Sequence, residues 1–286
     1  MNAWAAVVGW PVAHSLSPRI FRAFRTAMDR PLFYRALSVK PELLESTLLA
    51  AAKGGWVGWN VTLPHKVTAL ELMDRVDATA QEAGAVNAVR FLKGKSIGYN
   101  TDADGFLMPL ARRGVELKGR RCVVLGAGGA ARAVCASLLR VRVAEILVFN
   151  RTASKARALA SAFGGRVGDW DVYNRRKAAA EADLVVNATS IGMDGKSSPL
   201  PTLTSFKPGA LAYDLVYRPL ETPFLKEARE SGVMAMGGVG MLVAQAEATW
   251  RIWFDEELPD GLLAEVEAEL VGILAAEQRK KREGRL

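Results

Sequence analysis

Lys66 closes the segment Asn60-Val61-Thr62-Leu63-Pro64-His65-Lys66, in which a proline at a helix start fixes the backbone and aims the lysine from the first turn. An ammonium held in that way can give or take a proton once its surroundings draw its pKa toward neutrality. Taken alone, the same lysine suits a solvated surface equally well. Other polar segments carry chemistry of their own. Gly9-x-Pro11-x-x-His14-Ser15-Leu16-Ser17-Pro18 sets two hydroxyls two residues apart, able to meet one anionic oxygen pair, although either serine also suits a helix N-cap. Gly84-Ala85-Val86-Asn87 ends on an amide. Gly98-Tyr99-Asn100-Thr101-Asp102 places an acid just before a helix, where it can also serve only as a cap.

A nucleotide site is written further on. The strand Arg121-Cys122-Val123-Val124-Leu125 runs at once into Gly126-Ala127-Gly128-Gly129-Ala130-Ala131-Arg132. In Gly126-x-Gly128-x-x-Ala131 the first glycine allows a tight turn, the second lets the backbone approach a pyrophosphate, and Ala131 lets the helix pack closely on the strand. Glycine turns are common, so the strand-turn-helix context is what makes the motif specific. The next strand, Glu145-Ile146-Leu147-Val148-Phe149, ends at Asn150-Arg151-Thr152, with Lys155 one helical turn on. A carboxylate at this point would bond ribose hydroxyls. A cation and small donors suit a 2′-phosphate instead, so the residues point to NADP.

The elements that must position these groups alternate short β-branched runs with longer helical patterns, the signature of βαβ units. Strands are predicted near 4–8, 32–38, 57–61, 86–91 and 96–99, with helices near 18–28, 41–52, 65–73 and 103–113. Further apolar runs at 184–188 and 210–216 precede Gly237-Gly238, after which two helices are predicted, near 240–253 and 261–280. In the last helix Leu262, Leu263, Val266, Leu270, Ile273 and Leu274 recur at helical spacing, a stripe suited to its own domain's core. The predicted fold is α/β in two domains.

With 286 residues, half of them hydrophobic, the chain has material for two cores. No apolar run is long enough to span a bilayer, and the N-terminus lacks the basic leader of a signal peptide. Cys122 and Cys135 fall in a predicted strand and helix of one unit, as inert core thiols of a cytoplasmic protein do. His14 and His65 are the only histidines and no Cys/His cluster has metal-site spacing, so no metal is expected. Much of the net charge of +8 sits in the tail Arg279–Arg285, with no basic stripe interleaved with aromatics elsewhere. That argues against nucleic acid, and an anionic small molecule accounts equally well for the rest.

In order along the chain, the Ser-x-Ser, Asn-Val-Thr-x-Pro-x-Lys, Ala-Val-Asn, Asn-Thr-Asp, Gly-Ala-Gly-Gly-Ala and Asn-Arg-Thr segments resemble the shikimate dehydrogenase family. So do Asn187-Ala188-Thr189-Ser190-Ile191-Gly192-Met193, Asp214-Leu215-Val216-Tyr217 and Gly240-Met241-Leu242-Val243-Ala244-Gln245-Ala246. The resemblance covers nearly the whole chain. It implies reversible NADP-dependent reduction of 3-dehydroshikimate to shikimate. By the same resemblance Ser15, Ser17 and Thr62 bind the substrate carboxylate; Asn87, Asp102 and Gln245 bind ring hydroxyls; Tyr217 lines the same cleft; and Lys66 with Asp102 is the catalytic pair. Gly126, Ala127, Gly128, Gly129, Ala130, Asn150, Arg151, Thr152, Lys155, Thr189 and Gly238 are implied cofactor contacts. The implied substrate domain has a mainly parallel sheet and comprises residues 1–102 completed by helices in 238–286. Residues 103–237 form the implied Rossmann-like NADP domain, with catalysis between the two, and members are monomers or homodimers.

Two departures stand out: Ile20-Phe21 where the family has His-Asn, and Ala103 where it has glycine after the acid. Ile20 and Phe21 imply a more apolar floor near the serines, which keeps quinate or an amino-shikimate open as the substrate. A non-catalytic regulatory relative is the alternative of another class, and it would have no need of both Lys66 and Asp102.

Overall fold

The structure, a computed structural model, describes residues 3–200 and 205–284. Arg285 of the basic tail lies outside the described residues. The chain divides into two compact units: Met1–Met108 with Leu242–Ala268, and Pro109–Met241 with Glu269–Leu286.

In the first unit β1 (Ala3–Gly9), α1 (Ser17–Ala27), β2 (Leu32–Ser38), α2 (Leu44–Lys53) and β3 (Gly58–Val61) come first, followed by α3 (Lys66–Leu72), β4 (Arg75–Val76), α4 (Ala78–Ala83), β5 (Ala88–Leu92), β6 (Lys95–Tyr99) and α5 (Asp102–Ala111). The sheet order is β2-β1-β3-β5-β6-β4. β1 pairs in parallel with both β2 and β3, and its run Ala5–Gly9 is buried, as a strand covered on both faces must be. Beyond β3 the direction changes: β5 runs antiparallel to β3 and to β6. The sheet is mainly parallel, as predicted, and β5 is its reversed strand. The cause is local. Lys93 and Gly94 both take positive φ, and the two-residue turn they make folds β5 onto β6 as a hairpin. β4 and α4 have no counterpart in the predicted elements, since two and six residues are too short to show a periodicity.

The second unit holds β7 (Arg121–Leu125), α6 (Gly129–Arg140), β8 (Glu145–Phe149), α7 (Ala153–Ala162), β9 (Arg166–Gly168), α8 (Val172–Glu181), β10 (Leu184–Asn187), β11 (Leu211–Asp214), α9 (Pro223–Glu230) and β12 (Met234–Met236). All its strands are parallel, in the order β12-β11-β10-β7-β8-β9. That is the doubly wound dinucleotide-binding order, whose connections reverse between β7 and β10, where ligands bind beyond the strand ends. Two helices close the chain, α10 (Val239–Phe254) and α11 (Leu262–Arg282). Val266, Leu270 and Leu274 of the predicted stripe are buried. No described helix is long and apolar enough to cross a membrane.

Candidate active site

The reversal of β5 assembles the polar site of the first unit. Because β5 opposes both neighbours, its beginning lies beside the ends of β3 and β6, with Asn60 opposite Ala88 and Ala88 opposite Tyr99. Three separate segments therefore meet at one edge: the turn after β3 that carries Lys66, Asn87 just before β5, and Asp102 just after β6. Backbone hydrogen bonds tie them, from Val61 N to Asn87 O at 2.7 Å, Val86 N to Lys66 O at 2.8 Å and Asn87 N to Tyr99 O at 3.0 Å.

Lys66 Nζ forms an ion pair with Asp102 Oδ2, and the two side chains are only 13% and 5% exposed. Asn87 Nδ2 donates to Asp102 Oδ1 at 2.8 Å and to Thr101 Oγ1 at 2.9 Å, while Asn87 Oδ1 accepts Thr101 N at 2.7 Å. Gln245 of α10 stands beside this amide, its Oε1 3.5 Å from Asn87 Nδ2. A buried carboxylate bonded by a cation on one oxygen and an amide donor on the other is fixed in orientation.

Two details of the sequence reading change. α3 starts at Lys66 with His65 as its N-cap, so Pro64 precedes the helix rather than starting it. The buried His65 ring instead anchors the turn, with Nε2 2.7 Å from Val39 O. At α5, Asn100 does the capping: its Oδ1 accepts the backbone N–H of Asp102 at 3.1 Å and of Ala103 at 3.3 Å. The Asp102 carboxylate is thereby left to face Lys66.

The serines sit at the head of α1. Ser15 Oγ donates to Ser17 Oγ at 3.1 Å and accepts Ser17 N at 3.2 Å, while the N-cap position itself is Leu16. Thr62 is half-buried, and its hydroxyl makes no hydrogen bond among the described residues. Ile20 and Phe21 correct the expected apolar floor. Both are fully buried, and Phe21 stacks on Tyr34 with ring centroids 4.2 Å apart. Neither offers surface to a ligand, so the departure at these positions is a matter of core packing.

Sequence reasoning gives no role to Tyr34, Asn60, Thr101 or Thr249, which join the serine end of the site to its acidic end. Tyr34 Oη donates to Asn60 Oδ1 at 2.8 Å, and Asn60 Nδ2 donates to Thr249 Oγ1 at 3.0 Å. Burial pushes the Tyr34 phenol well above its ordinary pKa, partly offset by the Ser17 hydroxyl. Asn60 and Thr101 stand inside the quoted motifs. Thr249, four residues after Gln245 on α10, has no signal.

In the second unit the expected dinucleotide contacts other than Gly238, which follows β12, lie beyond three adjacent strands. The loops after β7, β8 and β10 are joined by Gly126 N to Phe149 O at 2.7 Å and Ala188 N to Leu125 O at 2.8 Å. Gly126 has φ +118°, and a Cβ there would lie 2.8 Å from Ala188 O, so only glycine fits. At Gly128 a Cβ would meet nothing within 4 Å, and the N-terminus of α6 has no side-chain cap. Open space in front of uncapped N–H groups is what a pyrophosphate needs. Ala131 is fully buried under the helix.

Asn150 Nδ2 braces the next turn by donating to Thr152 O at 3.0 Å. Arg151 and Lys155 are exposed and have no side-chain partner among the described residues. Thr189 Oγ1 donates to Asn187 Oδ1 at 2.7 Å and shapes the loop after β10. Gly238 is needed because a Cβ would stand 2.4 Å from Leu215 O. Tyr217, in this unit, is half-buried. Cys122 and Cys135 are free and buried, each thiol pushed up to about 12 mainly by that burial, so they are unreactive.

Asp214 is fully buried at the end of β11 and accepts from Asn187 Nδ2 at 2.8 Å, Thr222 Oγ1 at 2.6 Å and Val216 N at 3.0 Å. Burial nevertheless raises its carboxyl from 3.8 to about 6. The folded state therefore holds this proton more tightly than the unfolded chain. The group favours the fold fully below its unfolded pKa, and that contribution is lost as pH rises through about 6. Asp214→Asn keeps the shape, with the Thr222 hydroxyl able to reverse. Relative to that variant, the wild type is expected to lose up to about 3 kcal/mol of stability between pH 4 and pH 8, read from urea unfolding at each pH. A constant difference would show that Asp214 does not titrate in this range.

Residues 7–89 match the family model described as the shikimate dehydrogenase substrate binding domain, and residues 109–193 match that described as shikimate / quinate 5-dehydrogenase. The chain is 42% identical over 262 residues to a protein of Symbiobacterium thermophilum named shikimate dehydrogenase (NADP(+)), spanning 88% of this chain and 89% of the other. A protein of the same name from Geobacter metallireducens is 40% identical over 265 residues, 90% of this chain and 93% of its own. Among solved structures, the shikimate 5-dehydrogenase of Thermus thermophilus in complex with NADP(H) and shikimate superposes with a TM-score of 0.85 at 39% identity, covering 94% of this chain and 99% of that one.

Proposed function

The chain belongs to the shikimate dehydrogenase family, and on that premise we propose that it interconverts 3-dehydroshikimate and shikimate with NADP, using Lys66 and Asp102 to handle the proton. The first unit takes the substrate and the second takes NADP. The observation that carries this reading is the buried Lys66–Asp102 pair with Asn87 on the second carboxylate oxygen. When bound, NADP supplies or accepts the hydride at the reacting carbon. In the reducing direction the carbonyl oxygen gains a proton from Lys66 Nζ, and the ammonium charge stabilises the oxyanion as it develops. Asp102 holds that ammonium and, with Asn87 and Gln245, takes the ring hydroxyls. Ser15, Ser17 and Thr62 take the carboxylate through hydroxyl donors.

For the cofactor, the α6 N-terminus behind Gly126, Gly128 and Gly129 would hold the pyrophosphate, and Arg151 with Lys155 the 2′-phosphate. Both cations are exposed and without partners among the described residues, as a phosphate site requires. Arg151→Ala is expected to raise KM for NADP by roughly 10- to 100-fold and to leave KM for NAD within about twofold, since only NADP carries the phosphate. Equal changes for the two cofactors would make Arg151 a structural residue.

The experiment that tests the function is a grid of steady-state rates, shikimate or quinate against NADP or NAD. Shikimate with NADP is expected to give the highest kcat/KM. Faster turnover of quinate with NAD would replace the substrate and cofactor assignment, and no turnover with any pairing would replace the enzyme.

A further inference from the structure

Thr249 is fully buried on α10 and lies at the junction of the polar network. Its Oγ1 donates to Gln245 O at 2.9 Å, accepts from Asn60 Nδ2 at 3.0 Å and stands 3.3 Å from Thr101 Oγ1. A hydroxyl has one proton and two lone pairs. With that proton on the Gln245 carbonyl, both remaining contacts of Thr249 are acceptances, so Thr101 gives its proton to Thr249.

The direction then propagates. The lone pairs of Thr101 Oγ1 face Asn87, which must present Nδ2–H to it, 2.9 Å away. The other proton of the same amino group goes to Asp102 Oδ1. Without an acceptor at position 249, the Thr101 proton turns to Asn87 Oδ1, 3.3 Å away. There it competes with the Thr101 N–H already bound to that oxygen and pulls the amide out of line with Asp102.

We propose that Thr249 is a positioning residue: its hydroxyl fixes the proton order of the network that aims Asn87 at Asp102 and so sets the Lys66–Asp102 pair. The inference rests on the shikimate dehydrogenase reading and assigns a role to a fully buried side chain. On the other side, Asn60 links Thr249 to Tyr34 and the serine end, so one hydroxyl references both ends of the site to α10.

The test compares Thr249→Val, which keeps the branched shape without the hydroxyl, with Thr249→Ser, which keeps the hydroxyl without the methyl. Both variants lose some thermal stability, the first through an unpaired buried donor on Asn60 and the second through a missing methyl. Only Thr249→Val is expected to lose kcat for shikimate, by about tenfold, with KM for NADP unchanged. Thr249→Ser is expected to stay within about twofold of wild type. Should Thr249→Val not fold, Thr249→Cys has a similar volume with a weak acceptor and is expected to show the same split. Equal kcat in the hydroxyl-bearing and hydroxyl-free variants would overturn the inference. A wild-type protein that does not oxidise shikimate at all would instead remove the function on which it stands.

Discussion

Replacing Lys66 by alanine is expected to lower kcat for shikimate oxidation by roughly three orders of magnitude, in the range that general acid–base groups supply, while KM for shikimate changes by less than about fivefold. The asymmetry follows from the role proposed for the ammonium. In the ground state it meets a neutral hydroxyl or carbonyl, which water can serve nearly as well. In the transition state of the proposed reaction it meets a developing alkoxide and supplies the proton. Asp102 is held by Lys66 on one oxygen and by Asn87 on the other, with lone pairs left over for a ring hydroxyl. Removal of Lys66 also leaves Asp102 buried without its cation, which costs stability. Lys66→Met, with a chain of similar length, controls for packing and is expected to lose as much kcat. Near-normal turnover in either variant, measured at saturating shikimate and NADP, would take Lys66 out of the chemistry.

The second large effect is expected at Gly128. Gly128→Val should leave the melting temperature within about 2 °C of wild type, because its φ of −91° is open to any residue and a Cβ there meets no protein atom within 4 Å. KM for NADP should nonetheless rise by roughly 100-fold or more, as the side chain fills the space before the α6 N–H groups that a pyrophosphate would occupy. Gly126→Ala is the contrasting control. With φ at +118° and Ala188 O 2.8 Å from the new Cβ, it is destabilised whether or not cofactor is present. Normal NADP affinity in Gly128→Val would place the pyrophosphate elsewhere.

The strands and helices that carry the dinucleotide loops are legible in the sequence because each motif is local. A strand, a glycine turn and a helix start follow one another within a short stretch, and the chemistry is set by backbone geometry that glycine reports directly. The substrate-side groups are legible as residue types but not as an arrangement. Hydrophobic periodicity marks β3, β5 and β6 as strands and is blind to their direction, so the reversal that brings Asn87 beside Lys66 and Asp102 is out of its reach. Asn100 and Asp102 suit a helix cap equally on sequence grounds, and only the hydrogen bonds assign that role to Asn100. Ile20 and Phe21 read as part of a site because they neighbour Ser17 in sequence. On a helix, residues three and four further on face the core with it, and here an aromatic stack covers them. Thr249 and Tyr34 join the network through contacts to residues distant in the chain and leave no sequence trace.

Surface turns ordinarily tolerate changes of length. The tip at Lys93-Gly94 belongs to a different kind, because Leu92 pairs with Lys95 directly across it and the ladder from there runs without interruption to Ala88 opposite Tyr99. Each residue of slippage between the two strands shifts one past the other by about 3.3 Å and inverts which side chains face the core. An inserted or deleted residue at this solvent-facing corner would therefore be felt at the opposite end of the ladder, where Asn87 would no longer stand level with Asp102. The corner works as a length gauge, and homologues of this chain should vary their other loops more freely than this one.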